Sequence, residues 1–244
     1  MRFGPRFEGS AVFLPDLRRI LTAGGERGGV ATATAEIYDT ETPTKGWRYT
    51  GQMNLARMHS NLVTLPDGMV LAVGGNQQGK YESPVKQAEL YDPTTGRWTL
   101  MATQTAQRGY HSTAVLLPDG RVLSAGSDDG DLQTTAEFYS PPYLFQGSRP
   151  VVTAAPDAIS YGQTFQIDSP DAADVRTVVL IRGGSATHAV DFDQRSVELS
   201  FQVVGNTLQA QAPSSANLAP PGPYMLFLVN GQGVPSVAPF VQVG

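Results

Sequence analysis

Leu65-Pro66-Asp67-Gly68-Met69-Val70-Leu71-Ala72-Val73-Gly74-Gly75 decides the fold, because its pattern occurs three times in 244 residues. Leu14-Pro15-Asp16-Leu17 lies 51 residues before it and Leu117-Pro118-Asp119-Gly120 lies 52 residues after it. Each tetrapeptide leads into a short apolar run that stops at small residues: Leu21-Thr22-Ala23-Gly24-Gly25, Leu71 to Gly75, and Leu123-Ser124-Ala125-Gly126-Ser127. A third element follows, Ala35-Glu36-Ile37-Tyr38-Asp39, Ala88-Glu89-Leu90-Tyr91-Asp92 and Ala136-Glu137-Phe138-Tyr139-Ser140, and two copies then reach a tryptophan, Trp47 and Trp98. Proline fixes φ early in a turn and glycine accepts positive φ after it, so each Leu-Pro-Asp-Gly reads as a tight turn between strands. The unit is a strand, a turn, a strand ending at a glycine pair, a tyrosine-bearing strand and a tryptophan-bearing strand. Both tryptophans read as packing residues.

A repeat near 50 residues with four strands per copy matches a kelch-type blade. Three blades do not close a propeller, whose rings take roughly four to eight. The expectation is therefore a piece of a longer protein, or a ring completed by missing N-terminal blades or a second chain, with exposed sheet edges until then. The period breaks after Tyr139 in a proline-rich connector, Ser140-Pro-Pro-Tyr-Leu-Phe-Gln-Gly-Ser-Arg-Pro150. Short alternating runs follow at 164–167, 175–181, 197–203, 207–212, 224–229 and 238–243, separated by Gly, Pro and Asn. Such spacing signals an immunoglobulin-like sandwich. The expected fold class is all-β, with a partial kelch-type β-propeller over residues 1–146 and a β-sandwich over 147–244.

Composition narrows the function classes. The net charge is −5, and no cluster of Lys or Arg offers a phosphate-binding surface, so no nucleic-acid partner is expected. No apolar run reaches 18 residues and the start, MRFGPRFEGS, carries no apolar signal core, so neither a membrane partner nor an export address is read from the chain. Cysteine is absent, which removes disulfides and thiolate ligands from within these residues.

The chemistry-bearing residues are few. Of three histidines, His59 and His111 each stand six residues before their Leu-Pro-Asp and so occupy one position in successive blades; His188 lies in the sandwich. Equivalent strand starts surround a propeller axis, so His59 and His111 can face one channel mouth, with Arg57 and Arg108 preceding them. Tyr110 stands directly before His111. Imidazole suits copper, zinc, iron or nickel, and an adjacent phenolate favours Cu(II) or Fe(III). Neighbouring residues of a strand point to opposite faces, so Tyr110 and His111 reach one metal only at a strand end or bulge. The competing reading is that these are ordinary hydrogen-bonded turn histidines. The acidic run Ser127-Asp128-Asp129-Gly130-Asp131 reads as a solvated loop or a weak hard-cation site without calcium-loop spacing. Asp193-Gln194-Arg195 reads as a segment that fixes its loop by hydrogen bonds.

Four motifs together resemble the galactose oxidase and glyoxal oxidase family of copper radical oxidases. Arg108-Gly-Tyr110-His111-Ser112 with the following Leu-Leu-Pro-Asp-Gly-Arg-Val is similar to the family's axial-tyrosine and first copper-histidine segment. Phe138-Tyr-Ser-Pro-Pro-Tyr-Leu-Phe is similar to its propeller-to-sandwich junction, and Gly184-Ser-Ala-Thr187-His188 through Arg195 to its second copper-histidine segment. Pro220-Pro-Gly-Pro-Tyr224 with Gly233-Val-Pro-Ser236 is similar to its closing strands. The resemblance implies a galactose oxidase-like early-set (E-set) sandwich and one copper ion held by Tyr110, His111 and His188, with Tyr110 also the catalytic base. It implies a substrate or second-shell role for His59, Arg57 and Arg108. A small-molecule alcohol, aldehyde or carbohydrate would be the substrate, O2 the acceptor, and the compartment extracellular or secreted. It also implies a Tyr–Cys radical cofactor, which is not possible within this chain because no cysteine is present. The alternative function is a non-catalytic kelch and E-set module that binds carbohydrate or protein.

Overall fold

The structure, a computed structural model, describes residues 1–79, 82–129 and 131–244. Among the described residues the chain is all-β, and its helical segments are single 3-10 turns, Pro43–Lys45, Pro142–Phe145 and Ala172–Asp174. None is long and apolar enough to cross a membrane.

The repeats form consecutive antiparallel sheets. In the first, Ser10–Phe13, Arg19–Ala23, Ala35–Asp39 and Arg48–Tyr49 are hydrogen-bonded in chain order, and in the second Asn61–Thr64, Val70–Val73, Gln87–Asp92 and Arg97–Thr103. Each Leu-Pro-Asp turn joins the first two strands, with Leu65 N–H donating to Met69 O and Gly68 N–H to Leu65 O. The tyrosine of each third strand packs on the tryptophan that follows it, with ring centroids 5.3 Å apart for Tyr38–Trp47 and 4.9 Å for Tyr91–Trp98. The third sheet departs from the expected four-stranded blade: Thr113–Leu116, Val122–Ala125 and Ala136–Tyr139 have no fourth partner among the described residues. The physical reason is the sequence after Tyr139, where two prolines and the 3-10 turn Pro142–Phe145 replace the tryptophan-bearing strand.

Each blade also sets an arginine against a glutamate beneath its Gly-Gly or Gly-Ser step, the pair being fully buried in the second blade. Arg57 Nη2 meets Glu89 Oε1 at 2.7 Å with both side chains fully buried, and Arg57 Nη1 donates to Gly74 O. Arg6 with Glu36 and Gly24, and Arg108 with Glu137 and Gly126, repeat the arrangement. Blade joins blade at the same place, since Gly25 N–H donates to Arg57 O and Gly75 N–H to Arg108 O.

The sandwich has a five-stranded sheet, ordered Ala158–Ile159, Phe240–Val243, Gly222–Asn230, Val175–Arg182, Arg195–Leu199, over a three-stranded one, Thr164–Asp168, Thr207–Gln211, Phe201–Val204. The run at 197–203 is thus two strands in different sheets, broken at Ser200 where the chain crosses the sandwich. Val178, Leu180, Leu226 and Leu228 face the sandwich core, while the alternating Val179, Ile181, Met225, Phe227 and Val229 pack on Val63, Leu65, Leu71, Leu116 and Val122 of the blades. A period of two with apolar residues at both phases produces a sheet buried on both faces. Ala238 N–H donates to Pro118 O across the same seam, and within the sandwich Arg149 donates to Pro235 O and Ser236 O.

One Leu-Pro-Asp carboxyl differs from its two repeats. Asp16 and Asp119 are partly buried, which raises a carboxyl, yet hydrogen bonds from Arg19 and Arg121 hold both below the usual range. Asp67 has Met69 where Asp119 has Arg121, and burial pushes it up to about 6. Tyr139, packed nearby, is pushed up to about 12 by burial, with Asp67 adding to the shift. A carboxyl raised in the folded state contributes stability that is complete below its unfolded value near 3.9 and is lost as pH rises through about 6. Asp67→Asn should therefore gain on the parent between pH 4 and pH 7 by roughly 1–3 kcal/mol, read from urea unfolding at each pH; a constant difference would sink this account.

Gly74 carries a second expectation. It sits at φ +74° with an added Cβ 2.4 Å from Arg108 O, whereas Gly205, at φ +62°, has open space. Gly74→Ala should lower stability well beyond the roughly 1–2 kcal/mol that left-handed alanine alone costs at Gly205, as measured by thermal unfolding of both variants.

Candidate metal centre

Three residues with positive φ stand two positions before the first strand of each blade: Glu8 (φ 54°), His59 (φ 58°) and His111 (φ 61°). They are backbone equivalents, and they bring their side chains to one end of the blades. The residue after each glycine pair lies beside them, paired through backbone hydrogen bonds: Glu26 with Phe7, Asn76 with Met58, and Asp128 with Tyr110. The third copy differs in length. Arg6 and Arg57 precede their leucines, Leu14 and Leu65, by eight residues, while Arg108 precedes Leu117 by nine, and the added residue lets both Tyr110 and His111 project at the strand entrance.

His188 arrives from the sandwich. Ala186–Thr187 and Val190–Asp191 form a hairpin whose two loop residues are His188 (φ 54°) and Ala189 (φ 65°). Positive φ at both positions is what a tight I′ turn requires, an arrangement usually given to Asn-Gly. The hairpin lies along the first strands of all three blades. Asp191 holds it, one carboxylate oxygen accepting the N–H groups of Ser185 at 2.9 Å, Asp193 at 3.1 Å and Gln194 at 3.0 Å. Gln194 ties it to the second blade by accepting from Thr64 N–H and donating to Leu62 O. Asp193 pairs with Arg182 at 3.3 Å.

The result is a cluster of four rings. His111 Nε2 and His188 Nε2 are 2.9 Å apart, from residues 77 positions distant in the chain. The ring of Tyr110 stacks on His111 with centroids 3.8 Å apart, and meets His188 at 5.5 Å and His59 at 5.1 Å, both edge-on. The outer nitrogens have partners: His188 Nδ1 lies 2.8 Å from Thr187 Oγ1 and His111 Nδ1 lies 3.4 Å from Asp128 Oδ2. His59 is buried, with Nδ1 2.7 Å from Asn76 Oδ1 and Nε2 3.6 Å from Glu8 Oε2.

The donor set fits a metal ion in one respect that can be checked. Two nitrogens each about 2 Å from one ion and at a near right angle stand about 2.8 Å apart, close to the distance seen here. Among the described residues no third His, Asp or Glu joins the pair; the next donor type at hand is the phenol of Tyr110.

Arg57 and Arg108 are placed elsewhere than at a mouth. Both are buried inside the blades against Glu89 and Glu137, and burial pulls both below the usual guanidinium range against the pull of those carboxylates. Their terminal guanidinium nitrogens are held within the blades, Arg57 by Gly74 O, Gln87 O and Glu89 and Arg108 by Gly126 O, Thr135 Oγ1 and Glu137. The acidic run at 127–131 falls partly outside the described residues; within them, Asp128 faces His111. Thr187, Asn76 and Glu8 were missed by sequence reasoning. Aligning the residue after each glycine pair could have found Asn76 and Asp128.

The family description "Galactose oxidase-like, Early set domain" matches residues 149–243, and "Glyoxal oxidase N-terminus" matches residues 23–142. The chain belongs to the galactose oxidase and glyoxal oxidase family. It is 33% identical to a galactose oxidase of Gibberella zeae over 96% of its length and 34% identical to an aldehyde oxidase, GLOX1, of Arabidopsis thaliana over 81%. It also resembles a solved fungal alcohol oxidase of the AA5 family, in complex with copper, with a TM-score of 0.88, 31% identity and 98% of the chain covered. The chain spans 37% of each of those two curated relatives and 54% of the solved structure.

The hairpin generates its own expectation. Asp191→Ala should lower stability by roughly 1–3 kcal/mol and speed amide exchange at Ser185, Asp193 and Gln194, because three donors lose one acceptor. Hydrogen exchange confined to those amides supports the assignment; unchanged exchange there contradicts it.

Proposed function

We propose that these residues furnish the copper-binding half of a galactose oxidase-like copper radical oxidase acting on a primary alcohol, aldehyde or sugar with O2. The observation that carries this reading is the 2.9 Å approach of His111 Nε2 to His188 Nε2 from two separate folding units. The relatives named as oxidases of galactose, aldehydes and alcohols support the reaction class. His111 and His188 would hold the ion through Nε2, and the Tyr110 phenol, stacked on His111, would be the third donor. Copper, when bound, supplies a one-electron redox centre.

The chain's own residues would do the rest. Tyr110 Oη would take the hydroxyl proton of a substrate bound beside it, and the rings of His59 and His111 would hold the phenol ring in place. The sandwich hairpin would carry His188 into the blades and shield the site on one side. The radical cofactor of this family needs a cysteine, and none occurs in these 244 residues, so oxidation would require a tyrosine–cysteine pair from blades outside them.

Copper titration against a competing chelator tests the assignment. His111→Ala and His188→Ala should each weaken Cu(II) binding by roughly 100-fold or more, and Tyr110→Phe should remove the phenolate-to-copper absorption band. Parent-like affinity in both histidine variants would leave the non-catalytic binding module as the better reading.

A further inference from the structure

The outer nitrogens of the two imidazoles carry an inference that rests on the copper reading above and reaches residues outside its donor set. In the second blade, His59 Nδ1 faces Asn76 Oδ1 at 2.7 Å, and the amide cannot turn away because its Nδ2 donates to Gln78 O at 2.8 Å and Gly79 O at 2.7 Å. In the third blade the equivalent pair is His111 and Asp128, with Nδ1 3.4 Å from Oδ2 and Asp128 N–H donating to Tyr110 O at 2.9 Å. The relation between the left-handed histidine and the residue after the glycine pair therefore occurs twice. In the sandwich hairpin, Thr187 Oγ1 stands 2.8 Å from His188 Nδ1.

We propose that Asp128 and Thr187 are positioning residues that fix the tautomer of His111 and His188, each accepting the Nδ1–H. A carboxylate can only accept, and a threonine hydroxyl can accept while donating elsewhere. With the protons on Nδ1, both Nε2 lone pairs point into the same 2.9 Å gap, an arrangement that a cation satisfies and that neutral imidazoles alone do not. A carboxylate behind the ring also raises the basicity of the nitrogen in front, which favours metal binding. The replacement of Asn76 by Asp128 at the equivalent position separates a histidine with a packing role from one with a ligand role. Asp128 and Thr187 stand at the Nδ1 side of the rings, away from the gap between the two Nε2 atoms.

Two readouts on the whole chain test this. Long-range proton–nitrogen NMR of the metal-free protein at pH 8 reports the tautomer of its three histidines, assigned through the single-histidine variants. Asp128→Ala and Thr187→Val should turn His111 and His188, respectively, from the Nδ1–H form to a mixture, and should weaken Cu(II) binding by roughly 10- to 100-fold. Thr187→Ser retains an acceptor and should stay within about threefold of the parent, whereas Asp128→Asn should keep the Nδ1–H form of His111 but lose the carboxylate's added basicity, weakening Cu(II) binding by less than Asp128→Ala. Parent tautomers in both Asp128→Ala and Thr187→Val overturn the proposal, whatever the copper result. If instead His111→Ala and His188→Ala keep copper affinity while the tautomers shift as expected, the positioning stands and the copper reading falls.

Discussion

A strand with apolar residues on both faces has no face to leave in water, and the two central strands of the five-stranded sheet, Gly222–Asn230 and Val175–Arg182, are of this kind. Val179, Ile181, Met225, Phe227 and Val229 are buried against the blades, and each fully buried side chain of this kind is worth roughly 1.5–3 kcal/mol. Their neighbours Val178, Leu180, Leu226 and Leu228 are buried in the sandwich itself. The two strands are therefore clamped at both phases, and a slip of one residue would exchange the two sets rather than free either. The hairpin that carries His188 leaves the end of one clamped strand at Arg182 and returns into its neighbour at Arg195. Its placement against the blades follows from a seam built of ordinary aliphatic packing.

The architecture was largely legible because both of its signals are periodic. The Leu-Pro-Asp turns repeat at a fixed interval and each carries its own turn chemistry, so blade order could be read without long-range information. What was not legible depended on the residues beyond a repeat. The third sheet stops at three strands because of the prolines after Tyr139, a change in the connector rather than in the blade motif. The run at 197–203 reads as one apolar stretch, and only the crossing at Ser200 divides it between two sheets. The small hairpin pairs that follow the glycines, Glu26–Arg27 with Val30–Ala31 and Asn76–Gln78 with Glu82–Pro84, have mixed polarity and no alternation to betray them.

For the site, counting back from the leucines found the two blade histidines, and family resemblance added His188. A cation beside a ligand motif reads as a substrate contact, but Arg57 and Arg108 point back into the blades, where carbonyl oxygens and a glutamate meet their terminal nitrogens. The partners of Nδ1 were harder to read, because they lie 17 residues from His59 and His111 along the chain and only an alignment of the repeats, not local sequence, points to them.

The nine-residue interval between Arg108 and Leu117, against eight in the other copies, has a meaning beyond geometry. A duplicated unit that gains one codon keeps its glycine-to-arginine stitching upstream and its turn downstream, because both ends are anchored independently. The surplus is taken up at the strand entrance, where Tyr110 and His111 stand side by side. An added residue at this point therefore changes what the blade presents at its end without changing how the blade is stitched to its neighbour or how it turns.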